Sequence, residues 1–254
     1  MTGHPSAPEG PPQAGFPGAW QDAGLLLRGA VKTMLISKAR AAGDFVLLIG
    51  GAGCAGKSFF SHELARDLTG VGVKASVLEL DCYLLERAKR HNGAVHITGY
   101  DPRGYLLGEA AEDIRSLLSG VCVTVSPFDH RTGRRAPPIQ VQPAQTLIIE
   151  GSMAFRDPIY GFGHARIFLD STQHVLFGNR LQRELAFGMS LEQIERKFAS
   201  LREDYFKFIL PQRRRADLVV RIDHDYSFTS VQALRLRTPA KSPTRPADAV
   251  AFPG

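Results

Sequence analysis

Short apolar runs alternate with amphipathic segments along most of the chain. Runs of this length, bounded by Gly, Pro or Asp, are typical of buried strands. They predict strands at residues 44–50, 74–80, 121–128, 145–151, 165–170 and 216–222. Apolar residues at helical spacing occupy several of the intervals, so the pattern predicts that strands and helices alternate.

Helix signals confirm this alternation at the level of single residues. Helical spacing predicts helices at 21–42 and 106–118. It also predicts a helix that follows the first strand, and this helix ends at Gly70. Ser171 and Thr172 can cap a further helix that runs to about residue 186. Ser190 and Gln193 have the spacing of a capping box, which predicts another helix there.

The alternation indicates an α/β domain with a mostly parallel sheet covered by helices on both faces. The 254 residues suit one domain with a sizeable core, which we expect to span 21–236. Both ends of the chain are rich in Pro, Gly and Ala. This composition predicts a disordered arm at 1–20 and a disordered tail at 237–254.

Composition narrows the class of protein further. The chain is 44% hydrophobic and 22% charged, and no apolar run approaches the ~20 residues of a membrane helix. The first residues lack the basic start and apolar core of a signal peptide. Cys54, Cys82 and Cys122 match no disulfide or zinc spacing. We therefore expect a cytoplasmic protein that does not enter a membrane.

The net charge of +6 allows either a nucleic acid or a polyanionic nucleotide as a partner. Much of the excess positive charge lies at 171–215, which contains nine Lys or Arg residues and five Asp or Glu residues. Arg213, Arg214 and Arg215 belong to this segment. We interpret them as a solvated or phosphate-facing loop and do not expect nucleic acid as a partner, although steeply salt-dependent binding would indicate one.

A glycine-rich segment follows the first strand and opens a helix. It matches the pattern G-x-x-x-x-G-K-[ST], in which glycines let backbone N–H groups surround phosphate oxygens at a helix N-terminus. Lys57 would reach the β- and γ-phosphates and Ser58 would bind Mg²⁺. The pattern predicts a P-loop NTPase fold and an ATP site. Its residues are Gly51, Ala52, Gly53, Cys54, Ala55, Gly56, Lys57, Ser58 and Phe59.

Two acidic residues stand at strand ends, where a doubly wound sheet binds its ligands. Asp81 follows the second predicted strand and could accept the proton of an attacking hydroxyl. Glu150 ends the strand at 145–151 and could hold Mg²⁺ through water. Asp and Glu also cap turns after strands, so the residues alone leave a structural role open for both. GTPase and transporter signatures (N-K-x-D and L-S-G-G-Q) are absent from the sequence.

Two arginines share a face of the predicted helix at 172–186. Arg180 and Arg183 are three residues apart and could close over a triphosphate as a lid, which we expect at about 180–190. A solvated basic face is the alternative. The following segment AFGMS, residues 186–190, is typical of a hinge or a mobile lid.

The order of these features resembles the uridine kinase and phosphoribulokinase family of P-loop kinases, over residues 45–222. The matching segments are GGAGCAGKS, LELDCY, YDPRGY, SPFDHRTGRR, LIIEGSMAF, IFLD, RLQREL and FILPQRRRADLVV. The resemblance implies that Asp81 is the catalytic base, that Asp101 binds a sugar hydroxyl of the acceptor, and that Arg180 and Arg183 cover the phosphates. Further candidate acceptor contacts in these segments are Tyr83, Tyr105, Phe128 and Arg135.

The sequence departs from uridine kinases where they read the base. Leu84 stands where they have the Tyr of D-x-F-Y, and Gly133 stands where a His reads the pyrimidine edge. His130 is close to that position but out of register, whereas Arg135 matches the family's Arg. Loss of a buried readout group changes selectivity by orders of magnitude, so the resemblance predicts a kinase more strongly than a uridine kinase.

We therefore expect an ATP- and Mg²⁺-dependent kinase, with Lys57, Asp81 and Arg183 as catalytic residues. Its acceptor would be a hydroxyl of a nucleoside or related ribosyl compound. A phosphosugar, a pantothenate-like acceptor and a non-catalytic nucleotide-binding regulator remain as alternatives. The sequence leaves the oligomeric state open, and a homo-oligomer is compatible with it.

Overall fold

The structure is a computed structural model that describes residues 18–91, 93 and 96–234, with side chains described from residue 23. Residues 1–17 of the predicted arm and the predicted tail at 237–254 lie outside the described residues. The first helix begins at Gly18. Among the described residues, no helix is long and apolar enough to cross a membrane.

A six-stranded sheet forms the centre of the molecule, in the order β10-β9-β8-β1-β7-β2. Its strands are β1 (Phe45–Gly51), β2 (Ala75–Glu79), β7 (Thr146–Glu150), β8 (Ala165–Asp170), β9 (Leu218–Ile222) and β10 (Phe228–Ala233). All neighbours are parallel except β9 and β10, which are antiparallel. Strands β1, β7 and β8 are buried along their whole length, which explains their continuous apolar sequences.

Helices flank this sheet and confirm the predicted α/β class. They are α1 (Gly18–Ala42), α2 (Lys57–Gly70), α3 (Arg87–Arg90), α4 (Leu107–Leu118), α5 (Gln173–Ala186) and α6 (Leu191–Asp204). Thr172 caps α5, and the capping box predicted from Ser190 and Gln193 begins α6. Lys32 on α1 forms ion pairs with Glu63 and Asp67 on α2, which ties the first helix to the second.

The predicted strand at 121–128 was wrong as a member of the central sheet. It divides into β3 (Val123–Val125), which pairs with β6 (Ile139–Val141), and β4 (Phe128–Asp129), which pairs with β5 (Arg134–Arg135). Pro127 lies between the two short strands and has no N–H to donate to a continuous ladder. The result is a small β4–β5 hairpin outside the main sheet. Strand β10 was not predicted, because its alternating polar residues carry little apolar signal.

Candidate active site

The glycine loop joins the carboxyl end of β1 to the start of α2. Gly51 and Gly56 have φ angles of 142° and 74°, in the region that favours glycine. A Cβ at Gly51 would collide with the carbonyl oxygen of Leu169. Cys54 adopts φ 66°, a strained conformation for a residue with a side chain, and Asn179 on α5 holds its carbonyl oxygen at 3.2 Å. The sequence therefore forms the curled loop that phosphate binding requires.

Lys57 and Ser58 begin α2 on the inner side of this loop. The Lys57 ammonium is buried and donates to the carbonyl oxygen of Ala52 at 3.0 Å. The Ser58 hydroxyl donates to Oε1 of Glu150, the last residue of β7, at 2.6 Å. Burial raises the pKa of Glu150 to about 7, against the opposing charge of Lys57. The two predicted Mg²⁺ ligands are thus brought together beside a buried cation.

Asp81 lies in a 3₁₀ turn, Leu80–Tyr83, just after β2. Its Oδ1 accepts from the Tyr105 hydroxyl at 3.2 Å, and its Oδ2 lies 3.0 Å from Nε2 of His130. Burial acts to raise the pKa of Asp81, but the hydrogen bond and charge of His130, with Lys57 and Tyr105, lower it to about 2. Asp81 is therefore ionised at neutral pH and able to accept a proton from an acceptor hydroxyl or orient it.

Asp101 and Tyr83, both predicted to contact the acceptor, have protein partners here. The Asp101 carboxylate caps a short 3₁₀ turn and receives three hydrogen bonds from the Arg103 side chain, at 2.6–3.1 Å. The hydroxyl of Tyr83 donates to Asp113 on α4 at 2.7 Å. This position gives the predicted role of Tyr83 no support, because its polar atom is used to fasten the 3₁₀ turn to α4.

Phe128 and Arg135 are directly opposite each other in the β4–β5 hairpin. Such a pair shares one face of the hairpin, and His130 follows Phe128 by two residues, so its side chain points to the same face. The rings of Phe128 and His130 contact edge to face at 5.2 Å between centroids. Of these side chains, His130 is the one that contacts Asp81.

Four basic side chains, Arg87, Arg90, His130 and Arg135, surround this face, and we call them the basic cluster. The buried guanidinium of Arg90 lies 5.8 Å from the Phe128 centroid and donates to the carbonyl oxygens of Leu85 and Ile97. Arg87 donates to the carbonyl oxygen of His130 at 3.0 Å. Within the described part of the chain, none of the three arginines forms an ion pair with a carboxylate. Two carboxylates lie near them: Glu86 accepts the backbone N–H of Arg135 at 3.0 Å, and the charge of Asp81 acts on Arg90, so the positive charge of the cluster is only partly offset.

Arg180 and Arg183 project from α5 on the loop side. Arg180 is buried, donates to Glu184 at 2.8 Å, and places Nη2 3.1 Å from where a Cβ on Gly53 would lie. Lys197 and Arg183 also contact Glu184, so three cations share one carboxylate. The Nε atoms of Arg180 and Arg183 are buried without a hydrogen-bond partner in the described residues. Excess positive charge and unpaired donors beside a glycine loop fit a bound polyphosphate.

Phe59 was predicted to contact the nucleotide, but its side chain lies on the surface of α2. More than half of it is exposed, and the Arg28 guanidinium lies 4.7 Å from its ring centroid. The predicted Mg²⁺ site contains one carboxylate and one hydroxyl. No cluster of three or more His, Cys, Asp or Glu that could hold a metal occurs among the residues the structure describes. This donor set suits Mg²⁺ that arrives with a nucleotide and keeps several waters.

Comparison with known proteins decides the family. The model described as "PRK: Phosphoribulokinase / Uridine kinase family" matches residues 46–227 of the chain. The chain belongs to the phosphoribulokinase/uridine kinase family. The match covers every strand of the central sheet except β10, together with both strand-end acids and the α5–α6 pair.

Relatives within this family carry two different names. A phosphoribulokinase of Synechocystis sp. is 31% identical over 186 residues, which are 70% of this chain and 54% of the relative. A uridine kinase of Leuconostoc citreum is 28% identical over 178 residues, which are 68% of this chain and 84% of the relative. The chain thus spans about half the length of the phosphoribulokinase that it matches.

Solved structures agree on the fold. A D-glycerate 3-kinase from Cryptococcus neoformans has a TM-score of 0.61 at 12% identity and covers 83% of this chain and 99% of its own. The structural likeness supports the P-loop kinase fold. Because the identity is this low, the likeness gives no information about the acceptor.

Two site residues escaped prediction from the sequence. His130 contacts Asp81 across 49 residues of sequence, and Tyr100 contacts the glycine loop across 47. No periodic or motif signal marks such non-local contacts. Each residue nevertheless stands in a segment that carries the family resemblance, Tyr100 in YDPRGY and His130 in SPFDHRTGRR.

Proposed function

We propose that the chain is an ATP-dependent kinase that transfers the γ-phosphoryl group to a hydroxyl of a small ribosyl-type molecule. The observation that carries this proposal is that an ionised carboxylate, Asp81, lies in the same site as the glycine loop. The Lys57 ammonium donates to the loop carbonyl of Ala52, and its charge acts to lower the pKa of both Asp81 and Glu150. Donor and acceptor chemistry therefore share one site.

The proposed reaction is an in-line displacement. The acceptor oxygen forms a bond to the γ-phosphorus as the bond from that phosphorus to the β,γ-bridging oxygen breaks, and ADP leaves. The acceptor hydroxyl gives its proton to Asp81, while His130 and Tyr105 hold the carboxylate in position. Lys57, Arg180 and Arg183 supply the positive charge that stabilises the transferring group.

Ser58 and Glu150 would hold Mg²⁺, which when bound neutralises charge on the β- and γ-phosphates. Burial of Glu150 favours its neutral form until a cation arrives, so the ion and the ionised carboxylate stabilise each other. In the proposed closed state, the α5 arginines exclude water, which would otherwise compete as the acceptor.

Two acceptor classes fit a ribosyl hydroxyl: a neutral nucleoside and a sugar phosphate. The basic cluster favours the second. Arg90 is buried yet is held by carbonyl oxygens instead of a carboxylate, and Arg87 and Arg135 are exposed beside it. Arginines in this arrangement suit a phosphate monoester, whose geometry matches the guanidinium fork. Leu84 and Gly133 stand where uridine kinases read the base, which weakens the nucleoside reading.

An acceptor panel tests the proposal. The protein is incubated with Mg-ATP and matched pairs of pentoses and pentose phosphates, nucleosides and nucleoside monophosphates, and pantothenate. ADP release and acceptor mass are then followed. We expect kcat/KM for the phosphorylated member of a pair to exceed that of its neutral partner by at least ten-fold. Phosphorylation of nucleosides alone would reverse the acceptor assignment. ATP binding without any phosphorylated product would favour a nucleotide-binding regulator.

We also infer a cytoplasmic location, because the pattern of the three cysteines does not require a disulfide. Cys82 is a buried free thiol whose pKa is raised to about 12 by burial and by the charges of Glu79 and Asp81, so it is unreactive. No nucleic acid partner is proposed. Arg213 and Arg215 form ion pairs with Asp170 and Asp157, which supports a structural role for these two arginines.

A further inference from the structure

Tyr100 belongs to the segment that contacts Asp81 through Tyr105, and its side chain contacts the glycine loop. Its hydroxyl oxygen accepts the backbone N–H of Gly53 at 2.8 Å and lies 3.4 Å from Nη2 of Arg180. The residue is 6% exposed. Tyr100 therefore places a polar atom between the loop and Arg180, a role that was not predicted from the sequence.

The position of this hydroxyl is fixed from both sides. The Tyr100 backbone N–H donates to Thr98 Oγ1 at 3.0 Å, and the Thr98 hydroxyl donates to Asp204 at the end of α6 at 2.6 Å. On the loop side, a Cβ at Gly53 would lie only 3.2 Å from the Tyr100 oxygen. Glycine at residue 53 lets the hydroxyl approach the loop backbone without a clash.

The hydrogen-bond inventory leaves one proton unused. A phenolic hydroxyl has one O–H to donate and two lone pairs to accept with. Gly53 and Arg180 occupy the acceptor capacity, and within the described ranges no protein group accepts the Tyr100 proton. Because two donors converge on the oxygen, the proton must point away from both. A buried donor without a partner costs free energy unless a ligand or water receives it.

We propose that Tyr100 donates this hydrogen bond to an oxygen of the γ-phosphoryl group. This inference rests on the proposed function. It adds a residue that reads the γ-phosphate rather than the nucleotide as a whole. The β-phosphate lies within the loop and the helix N-terminus, whereas the arginine beside Tyr100 is the one proposed to cover the transferring group. Tyr100 and Arg180 would thus contact the same phosphoryl group from neighbouring positions.

The same segment also contacts the proposed base. The single O–H of Tyr105, five residues on, is shared between Asp81 Oδ1 at 3.2 Å and the carbonyl oxygen of Gly99 at 2.9 Å. The stretch Gly99–Tyr105 therefore holds a phosphate-side hydroxyl at one end and an acceptor-side hydroxyl at the other. A shift of this stretch would move both, so Tyr100 serves to align the γ-phosphorus with the acceptor oxygen.

Nucleotide affinity tests the proposal without relying on catalysis. Dissociation constants for Mg-AMP-PNP and Mg-ADP are measured by calorimetry for the wild type, Tyr100→Phe and Tyr160→Phe. Tyr160 is a matched control, because its ring stacks on Arg166 and Arg215 at the opposite end of β8. We expect Tyr100→Phe to weaken AMP-PNP binding about ten-fold and ADP binding less than two-fold. The control should change neither.

The ratio of the two affinities separates the outcomes. Equal loss for both nucleotides would assign Tyr100 a structural role, and no loss, or tighter AMP-PNP binding, would show that the hydroxyl does not donate to the γ-phosphate. Either result overturns the inference while wild-type phosphoryl transfer, measured in parallel, leaves the proposed function intact. A wild type that binds neither nucleotide would overturn both. Unchanged ADP affinity also reports that the variant is folded.

Discussion

Nε2 of His130 lies 3.0 Å from Oδ2 of Asp81, although 49 residues separate them in the sequence. The β4–β5 hairpin, which is not part of the central sheet, makes this contact. The contact opposes the effect of burial and keeps the proposed base ionised. His130 therefore has a defined electrostatic task whichever acceptor the site takes.

Replacement of His130 should shift the pH dependence of the reaction. In His130→Asn, burial of Asp81 is opposed only by Lys57 and Tyr105, so its pKa should rise from about 2. Because the ionised carboxylate is the active form, the acidic limb of kcat/KM should move to higher pH. The profile is measured at saturating Mg²⁺, with His174→Asn as the control. An unchanged acidic limb in His130→Asn would show that this contact does not tune the base.

The positions of the site residues at the strand ends were predictable because they depend on local sequence. A glycine loop after β1, Asp81 after β2 and Glu150 at the end of β7 each follow a clear apolar run, and parallel strands bring such ends together. The placement of the 121–128 segment in the central sheet was wrong. Its apolar residues are typical of a strand, but they do not specify which sheet the strand joins. The family resemblance made Tyr83 a candidate acceptor contact, and its hydroxyl donates to Asp113 on α4.

The contacts of His130 and Tyr100 could not be derived from the chain alone. Both depend on tertiary packing that brings a hairpin and a loop over the sheet edge, and neither residue type has a periodicity that reveals it. Arg180 and Arg183 are an intermediate case. Their shared helix face was predicted, but the buried ion pair of Arg180 with Glu184 was not.

Glu150 should make the ligand-free protein less stable as pH rises. Its pKa in the folded state is about 7, raised by burial above the ordinary value of 4.5. The folded state therefore binds the proton more tightly than the unfolded state, and the free energy of unfolding should fall as pH rises from 4.5 to 7. Glu150→Gln removes this loss and should be more stable than the wild type at pH 8 by about 1–3 kcal/mol.

Thermal unfolding without Mg²⁺ or nucleotide checks this difference at pH 5 and pH 8. The gap between variant and wild type should shrink at pH 5, where Glu150 is protonated in the folded state. With Mg²⁺ and nucleotide present the order should reverse, because the variant lacks the carboxylate proposed to hold the ion. A variant that is less stable than the wild type at pH 8 without ligands would contradict the buried-acid interpretation.

Arg87 should influence the acceptor rather than the nucleotide. Arg87→Gln removes one exposed cation of the basic cluster, so the KM of a pentose phosphate should rise about 5- to 30-fold, by the loss of a charge-assisted hydrogen bond. The KM of ATP should stay within two-fold of the wild-type value, which is roughly the usual effect of a surface substitution. Arg131→Gln, at the exposed turn of the same hairpin, is the control. A rise in the KM of ATP alone would place Arg87 on the donor side.

Transfer by the wild type and by Asp81→Asn, followed side by side, tests the central claim most directly. Acceptor phosphorylation is measured by mass spectrometry under single-turnover conditions with Mg-ATP and the preferred acceptor of the panel. We predict that Asp81→Asn binds Mg-ATP with nearly unchanged affinity and transfers the phosphoryl group about 10²- to 10⁴-fold more slowly, the usual contribution of a general base. Transfer by Asp81→Asn at the wild-type rate would contradict the assignment of Asp81 as the base.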